Sequence, residues 1–167
     1  MSAGVGLVET PLPGAMDVRD VLEGLLGREV DVATGGEMVN PGAGDGALVG
    51  IYVDNRLALK ALVLFDLPLA ARAGAAIALV PAGGADLSIE DGALTPALLD
   101  NSAEILNIVA GMFNTEGAPH LKLDTYYAPG EALPSDVAQW VLAYVRRLDL
   151  TITVKGYGEG KFSALVL

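Results

Sequence analysis

The chain has no cysteine, a single histidine, and ten basic residues against 21 acidic ones. Without cysteine there can be no disulfide, no thiolate zinc site and no thiol nucleophile. With His120 as the only imidazole, a histidine-based metal cluster is excluded, and no serine stands in a motif that would make it a nucleophile. The shortage of positive charge leaves a formal net charge of −11, which works against nucleic acid or an anionic membrane as the main partner. Arg146–Arg147 is the one basic pair. Long apolar runs are missing too. The best candidate, Ala61–Val80, is broken by Asp66, Pro68 and Arg72, so no membrane insertion is expected. The N-terminus has no basic region before an apolar core, and therefore does not read as a secretory signal. A cytoplasmic setting is the expectation.

What is present is apolar and compact in character. The 167 residues are 52% hydrophobic, enough for one domain with a sizeable core. Residues 1–15 read as a flexible lead-in and 16–167 as a single domain. Apolar positions at helical spacing predict a helix from Met16 or Asp17 to Leu26, stopped by Gly27. A strand over Glu29–Ala33 follows, then a Gly/Pro-rich loop, then strands Ala47–Val53 and Ala58–Phe65 joined by the tight turn DNR. Leu67–Leu79 prefers helix, and Ala82–Gly92 reads as a break. A second long helix is predicted over Pro96–Phe113, capped by Thr95 with Pro96 at its first position. His120–Tyr127 reads as a strand and Ser135–Tyr144 as a helix. Strands Asp149–Lys155 and Lys161–Leu167 flank the turn GYGEG. This order is not an alternating βαβ pattern, so an α+β fold with a largely antiparallel sheet is expected.

The second long helix contains the stretch DNSAEILNIVAGMFN. At roughly 100° per residue, Leu98, Leu99, Ile105, Leu106, Ile108, Val109, Met112 and Phe113 form one broad apolar arc. Asp100, Glu104, Asn107, Gly111 and Asn114 gather on the other side. A solvated face is the ordinary reading of such a stripe. Asn and Gly are nevertheless unfavourable inside a helix, Gly by about 1 kcal/mol relative to Ala, so their presence needs a reason. Other candidates are weaker. GYGEG leads into a strand rather than a helix and reads as a hairpin turn, not a phosphate loop. Asp86, Glu90 and Asp91 lack calcium-loop spacing. His120 reads as a strand-entry residue, and Tyr126, Tyr127 and Trp140 as core or half-buried aromatics.

Residues Asp100–Asn107 fit Asp/Ser-x-x-x-Glu-x-x-Asn, and ALLDNSAEILNIVAGMF resembles, in register through Ala110 and Gly111, the DALGEIxNMIAGN helix of the CheC/CheX/FliY family of phosphatases acting on response regulators. The order of elements over 16–167 is similar as well. The resemblance implies a CheX-like fold with two long helices packed against a mainly antiparallel sheet. It implies hydrolysis of the aspartyl phosphate of a CheY-like receiver domain, with Asn107 orienting the attacking water, Glu104 docking the receiver's lysine, and Asp100 and Gly111 in support. No cofactor of the chain's own is implied, because Mg2+ comes with the receiver. The spacing makes chemical sense. An acyl phosphate needs a water held in line rather than a protein nucleophile, and residues three apart on a helix face the same way. The alternative is a non-catalytic module that binds a receiver or another signalling partner. A single site is expected, since the first helix (RDVLEGLLG) offers Glu23 but has Leu26 where asparagine is needed. Met112 follows Gly111 where the family often has Asn, and Pro129 lies one residue closer to Asn107 than the family's proline. The CheX branch implies a homodimer through strands, for which the apolar end FSALVL is the candidate edge.

Overall fold

Two consecutive runs, ALVGIYV and LKALVLFD, have almost no polar residue to turn toward water. In the computed structural model, which describes residues 9–167, they form the antiparallel pair β2 (Ala47–Val53) and β3 (Leu59–Asp66). Every residue of β2 is buried, so both faces of this hairpin must be covered. The sheet grows outward from it to six strands, all antiparallel, in the order β1-β5-β6-β3-β2-β4. Here β1 is Val30–Thr34, β4 Lys122–Tyr127, β5 Arg146–Val154 and β6 Gly158–Val166. The α+β architecture read from the sequence is the one observed.

One face carries the helices. α1 (Ala15–Leu26), α2 (Leu67–Ile77) and α4 (Pro96–Val109) lay Val18, Leu22, Ala70, Ala73, Ile105, Leu106 and Val109 onto Leu48, Tyr52, Val63, Phe65, Ile152 and Phe162. Each buried leucine or isoleucine here is worth about 1.5–3 kcal/mol. α2 is the central helix, packing on α4 and, less extensively, on α1. Asp66 caps its start by accepting from the Leu69 N–H at 2.9 Å. Glycines permit the close approaches. A Cβ on Gly74 would lie 2.8 Å from the Leu98 carbonyl oxygen of α4, and one on Gly160 would lie 2.5 Å from the Leu69 backbone nitrogen.

The opposite face is covered by a thinner layer in which Val39, Val137 and Val141 pack on Val49, Ile51, Leu62, Leu64 and Leu165. The sequence predicts a ten-residue helix here, but only α5 (Ser135–Ala138) forms, with Pro134 rather than Ser135 as its cap. Arg147 holds the segment that follows. Its side chain, 8% exposed, is paired with Asp149 at 2.9 Å, and the guanidinium also donates to the carbonyls of Val141 and Ala143. Ser163 donates to Asp149 at 2.6 Å and accepts from the Val39 N–H at 3.0 Å, tying the second loop of this layer to the same pair.

Other expectations need correction. Ala82–Asp91, read as a break, is the helix α3. Its Ala-Gly-Gly start has little helical preference, but Ala85 and Ile89 pack against Ala71, Ala75 and Leu98, and that burial decides the conformation. Asp86, Glu90 and Asp91 are therefore helix residues, not a loop cluster. The final strand, read as a free edge, lies between β5 and β3; among the described residues the outer strands are β1 and β4, and these are the edges open to strand pairing between two copies. The β5–β6 turn is Lys155–Tyr157, and the last three residues of GYGEG belong to β6. Residues 1–8 of the expected lead-in lie outside the described residues. Its remainder runs along the body, with Thr10 and Pro13 buried and the Thr10 carbonyl accepting from Arg146 at 3.1 Å. Among the described residues, no helix is long and apolar enough to cross a membrane.

The glycines give two stability predictions of opposite sign. Gly74→Ala forces α2 away from α4 and should destabilise the fold by about 1–3 kcal/mol, as overpacking does. Gly24→Ala, in the exposed part of α1 with no atom within 4 Å of the added Cβ, should stabilise by about 0.5–1 kcal/mol. Urea unfolding of the two variants beside the wild type measures both.

Candidate functional site

The helix carrying the polar stripe is set in place from three directions. At its start, the Thr95 hydroxyl accepts from the Leu98 N–H at 3.2 Å, and Pro96 occupies the first turn, where its missing N–H does no harm. Along its flank, Asn101 donates to the Gly74 carbonyl of α2 at 3.0 Å. Beneath it, Gly50 of β2 leaves a hollow in which Leu106 sits, with a Leu106 methyl 3.1 Å from where a Gly50 Cβ would be. The Tyr52 hydroxyl donates to the Leu106 carbonyl at 2.5 Å, satisfying one of the acceptors left open at the helix C-terminal end. Burial pushes the Tyr52 phenol far above its ordinary pKa, so it stays protonated and a donor. Its ring also lies 5.3 Å from that of Phe113, in the 3₁₀ turn Ala110–Phe113 that continues the helix.

Fixing Leu106 inward fixes its neighbours outward. Asp100, Glu104, Asn107 and Gly111 are all exposed, on one continuous face. The four residues taken from the sequence are thus brought together. Asn107 and Glu104, one turn apart, make no side-chain hydrogen bond or ion pair among the described residues, whereas the other asparagines of the stretch are engaged. Asn101 holds α2, and Asn114 bonds both backbone groups of Leu121, accepting from its N–H at 2.7 Å and donating to its carbonyl at 3.0 Å. Asn114, grouped with the stripe on sequence, is therefore a structural residue closing the loop to β4. A Cβ on Gly111 would meet nothing within 4 Å, so the surface there is open.

Ile108 departs from the sequence reading. Expected in the apolar arc, it is 41% exposed. Four residues after Glu104, it lies only about 40° around the helix from that residue, and so shares its face. The site is a polar pair with an apolar neighbour, which helical phase could have revealed had Ile108 been weighed by angle rather than by hydropathy. On α1 the corresponding positions are occupied otherwise. Glu23 accepts from the Val30 N–H at 3.0 Å, and Leu26 is 4% exposed in the core.

Electrostatics limit what this face can do. Asp100 and Glu104 are acidic, none of the face residues is basic, and the face lies toward the negative end of the α4 dipole. Such a surface repels a free phosphate and attracts a cationic side chain. It can position a water through the Asn107 carboxamide, but charge developing on a phosphoryl group must be neutralised by the partner that carries it. His120 is exposed ahead of β4, and Tyr126, Tyr127 and Trp140 are half-buried, away from this arrangement in sequence and element.

No protein-family model matches the chain, and no curated protein matches it in sequence. Among solved structures, the chain is similar to Helicobacter pylori FliM as seen in its complex with FliG, with a TM-score of 0.55 at 9% identity, covering 90% of this chain and 84% of that one. The H. pylori FliM middle domain alone gives 0.52 at 10% identity, covering 91% and 84%. The CheX–CheY–BeF3–Mg2+ complex of Borrelia burgdorferi gives 0.45 at 10% identity, covering 88% and 90%. The likeness to FliM establishes that this chain has the fold of the FliM middle domain.

The Tyr52 hydroxyl is the link between sheet and site helix that can be removed alone. Tyr52→Phe should lower unfolding free energy by about 1 kcal/mol, the net worth of a neutral buried hydrogen bond. Hydrogen exchange should show the loss concentrated in residues 106–113.

Proposed function

We propose that this chain is a CheX-like protein that docks a phosphorylated CheY-like receiver domain on the exposed face of α4 and accelerates hydrolysis of its aspartyl phosphate. The observation that carries the reading is the state of the two motif residues: Asn107 and Glu104 are exposed, one turn apart and unengaged among the described residues, while Asn101, Asn114 and Glu23 are all occupied in holding the fold. A helix that places an unfavourable Asn outward and spends it on nothing internal is one whose Asn serves a partner.

In this reading Glu104 pairs with the receiver's lysine, and the Asn107 carboxamide enters the receiver's site and holds a water in line with the phosphorus. The water oxygen bonds to phosphorus as the bond from phosphorus to the aspartyl oxygen breaks. The electron pair leaves on the restored carboxylate, and the water's proton passes to the released phosphate. Mg2+ bound by the receiver supplies charge neutralisation at the phosphoryl oxygens. A neutral carboxamide suits the position, because a carboxylate there would add negative charge beside the phosphoryl group. Asp100 adds to the negative field that draws in the lysine, and Gly111 keeps the surface low enough for close approach. A cytoplasmic location follows from such a partner.

A second reading is favoured by the likeness to FliM, which is seen bound to FliG. On that reading the chain is a non-catalytic module that binds a receiver or another signalling protein through the same face.

Phosphate release from a panel of phosphorylated receivers separates the two. Asn107→Ala should slow accelerated phosphate loss by about 10²-fold, the size of effect seen when a transition-state positioning group is removed. Glu104→Ala should weaken docking by about tenfold, within the range for one member of an interfacial charge pair. Both variants should keep their unfolding free energy within about 0.5 kcal/mol, as exposed positions do. Undiminished activity in Asn107→Ala would sink its role, and binding to phosphorylated receiver with no change in its decay would select the second reading.

A further inference from the structure

A cleft of about 380 Å³ opens between the start of α1 and the end of the α4 helix, and Gly111 is one of its walls. Its apolar lining comes from Leu12, Val21 and Met112, each partly buried against the main core yet still reaching the cleft. Its rim on the α1 side is acidic. Asp17 accepts from the Gly14 N–H, and Asp20 is exposed with its adjacent residue Arg19 at 3.0 Å as its ion-pair partner. Apart from Gly111 and Met112 these residues lie outside the motif, and α1 and the 3₁₀ turn after α4 bring the two sides together across some ninety residues of chain.

We infer that this cleft is the specificity pocket of the receiver-docking face, taking an apolar side chain of the receiver that is flanked by a basic one. The inference rests on the receiver reading given above. Three observations carry it. The first is continuity: at 1.5 Å rise per residue, Gly111 lies about 6 Å along the helix from Asn107. A partner covering a standard patch of about 800 Å², roughly 30 Å across and centred on Asn107, must therefore lie over the cleft. The second is shape: Gly111 presents no side chain between the polar pair and the cleft, and the exposed Ile108 adds an apolar side chain beside Glu104 on the same helix. The third is charge. Asp17 and Asp20 line the α1 side, the second sharing its charge with Arg19, so a receiver side chain entering there is favoured if its neighbour is lysine or arginine and opposed if it is acidic. Glu104 and Asn107 meet groups shared by all receivers. The cleft lies outside those groups, where a contact can discriminate between receivers without touching the reacting atoms.

The test uses the full chain and receiver domains activated by beryllofluoride and Mg2+, with affinity read by fluorescence anisotropy and turnover read separately by phosphate release. Thr115→Trp fills the cleft from an exposed position, Asp20→Lys reverses the charge of its rim, and Asp91→Lys makes the same charge change on the exposed side of α3 as a control. Expected is a loss of affinity of about tenfold for each of the first two variants, the size of a lost anchor contact, with the control within about twofold of wild type. Turnover at saturating receiver should fall by less than about threefold, unlike that of Asn107→Ala. Circular dichroism confirms folding of each variant. If the wild type binds and both cleft variants bind equally well, the pocket is wrong and the receiver reading stands. If the wild type binds no activated receiver, the receiver reading fails and the pocket with it.

Discussion

The hairpin formed by β2 and β3 has no side that water can occupy, and the remaining architecture answers that constraint. All seven residues of β2 and the middle of β3 are buried, so helices must cover one face and some other layer the second. The helix face is filled densely because two glycines let α2 lie against both β6 and α4. The second face is filled by loops with one helical turn, held down by the Arg147–Asp149 pair and its bonds to the carbonyls of Val141 and Ala143. Leaving one charge of such a pair buried alone costs about 3–5 kcal/mol, which ties the layer's integrity to two adjacent side chains of one strand.

The setting of the candidate site follows from the same hairpin. Gly50 and Tyr52 lie on β2, and between them they seat Leu106 and bind its carbonyl. A helix held at that point cannot rotate, and residues immediately beside Leu106 are obliged to face outward. Exposure of Asn107 is thus a consequence of a core contact rather than of polarity alone. The acidic character of the face then determines its chemistry. It can receive a cation and hold a water, and under the proposed function the partner must stabilise the phosphoryl charge. A surface built in this way has little use in isolation, which agrees with its lying open beside a cleft rather than at the bottom of one.

Much of this was legible in order and spacing. The motif helix, its Thr95 cap, the central hairpin and the glycine stop of α1 all rest on local chemistry, which neighbouring residues carry among themselves. Elements whose conformation is set by distant partners were not legible. α3 is helical because of what Ala85 and Ile89 pack on, despite Gly83 and Gly84. The helix begun at Ser135 ends after one turn, and the segment that follows is held by Arg147, a residue beyond it in sequence, through the Val141 and Ala143 carbonyls. The last strand, as apolar as an edge seeking a partner, has its partners inside the sheet.

For the site the division runs the same way. Residue types at helical spacing determined that Asp100, Glu104, Asn107 and Gly111 share a stripe, because the α-helix imposes that geometry whatever surrounds it. They could not determine which asparagine of three would be spent on structure. Only the tertiary fold decided that Asn101 reaches α2, that Asn114 closes a loop and that Asn107 reaches no partner among the described residues, because the partners of the first two lie on other elements or beyond a turn. It also decided that Ile108 faces out and that Met112 meets Val21 across a cleft. A helix specifies its own faces; what each face meets is decided by the sheet and helices it packs against.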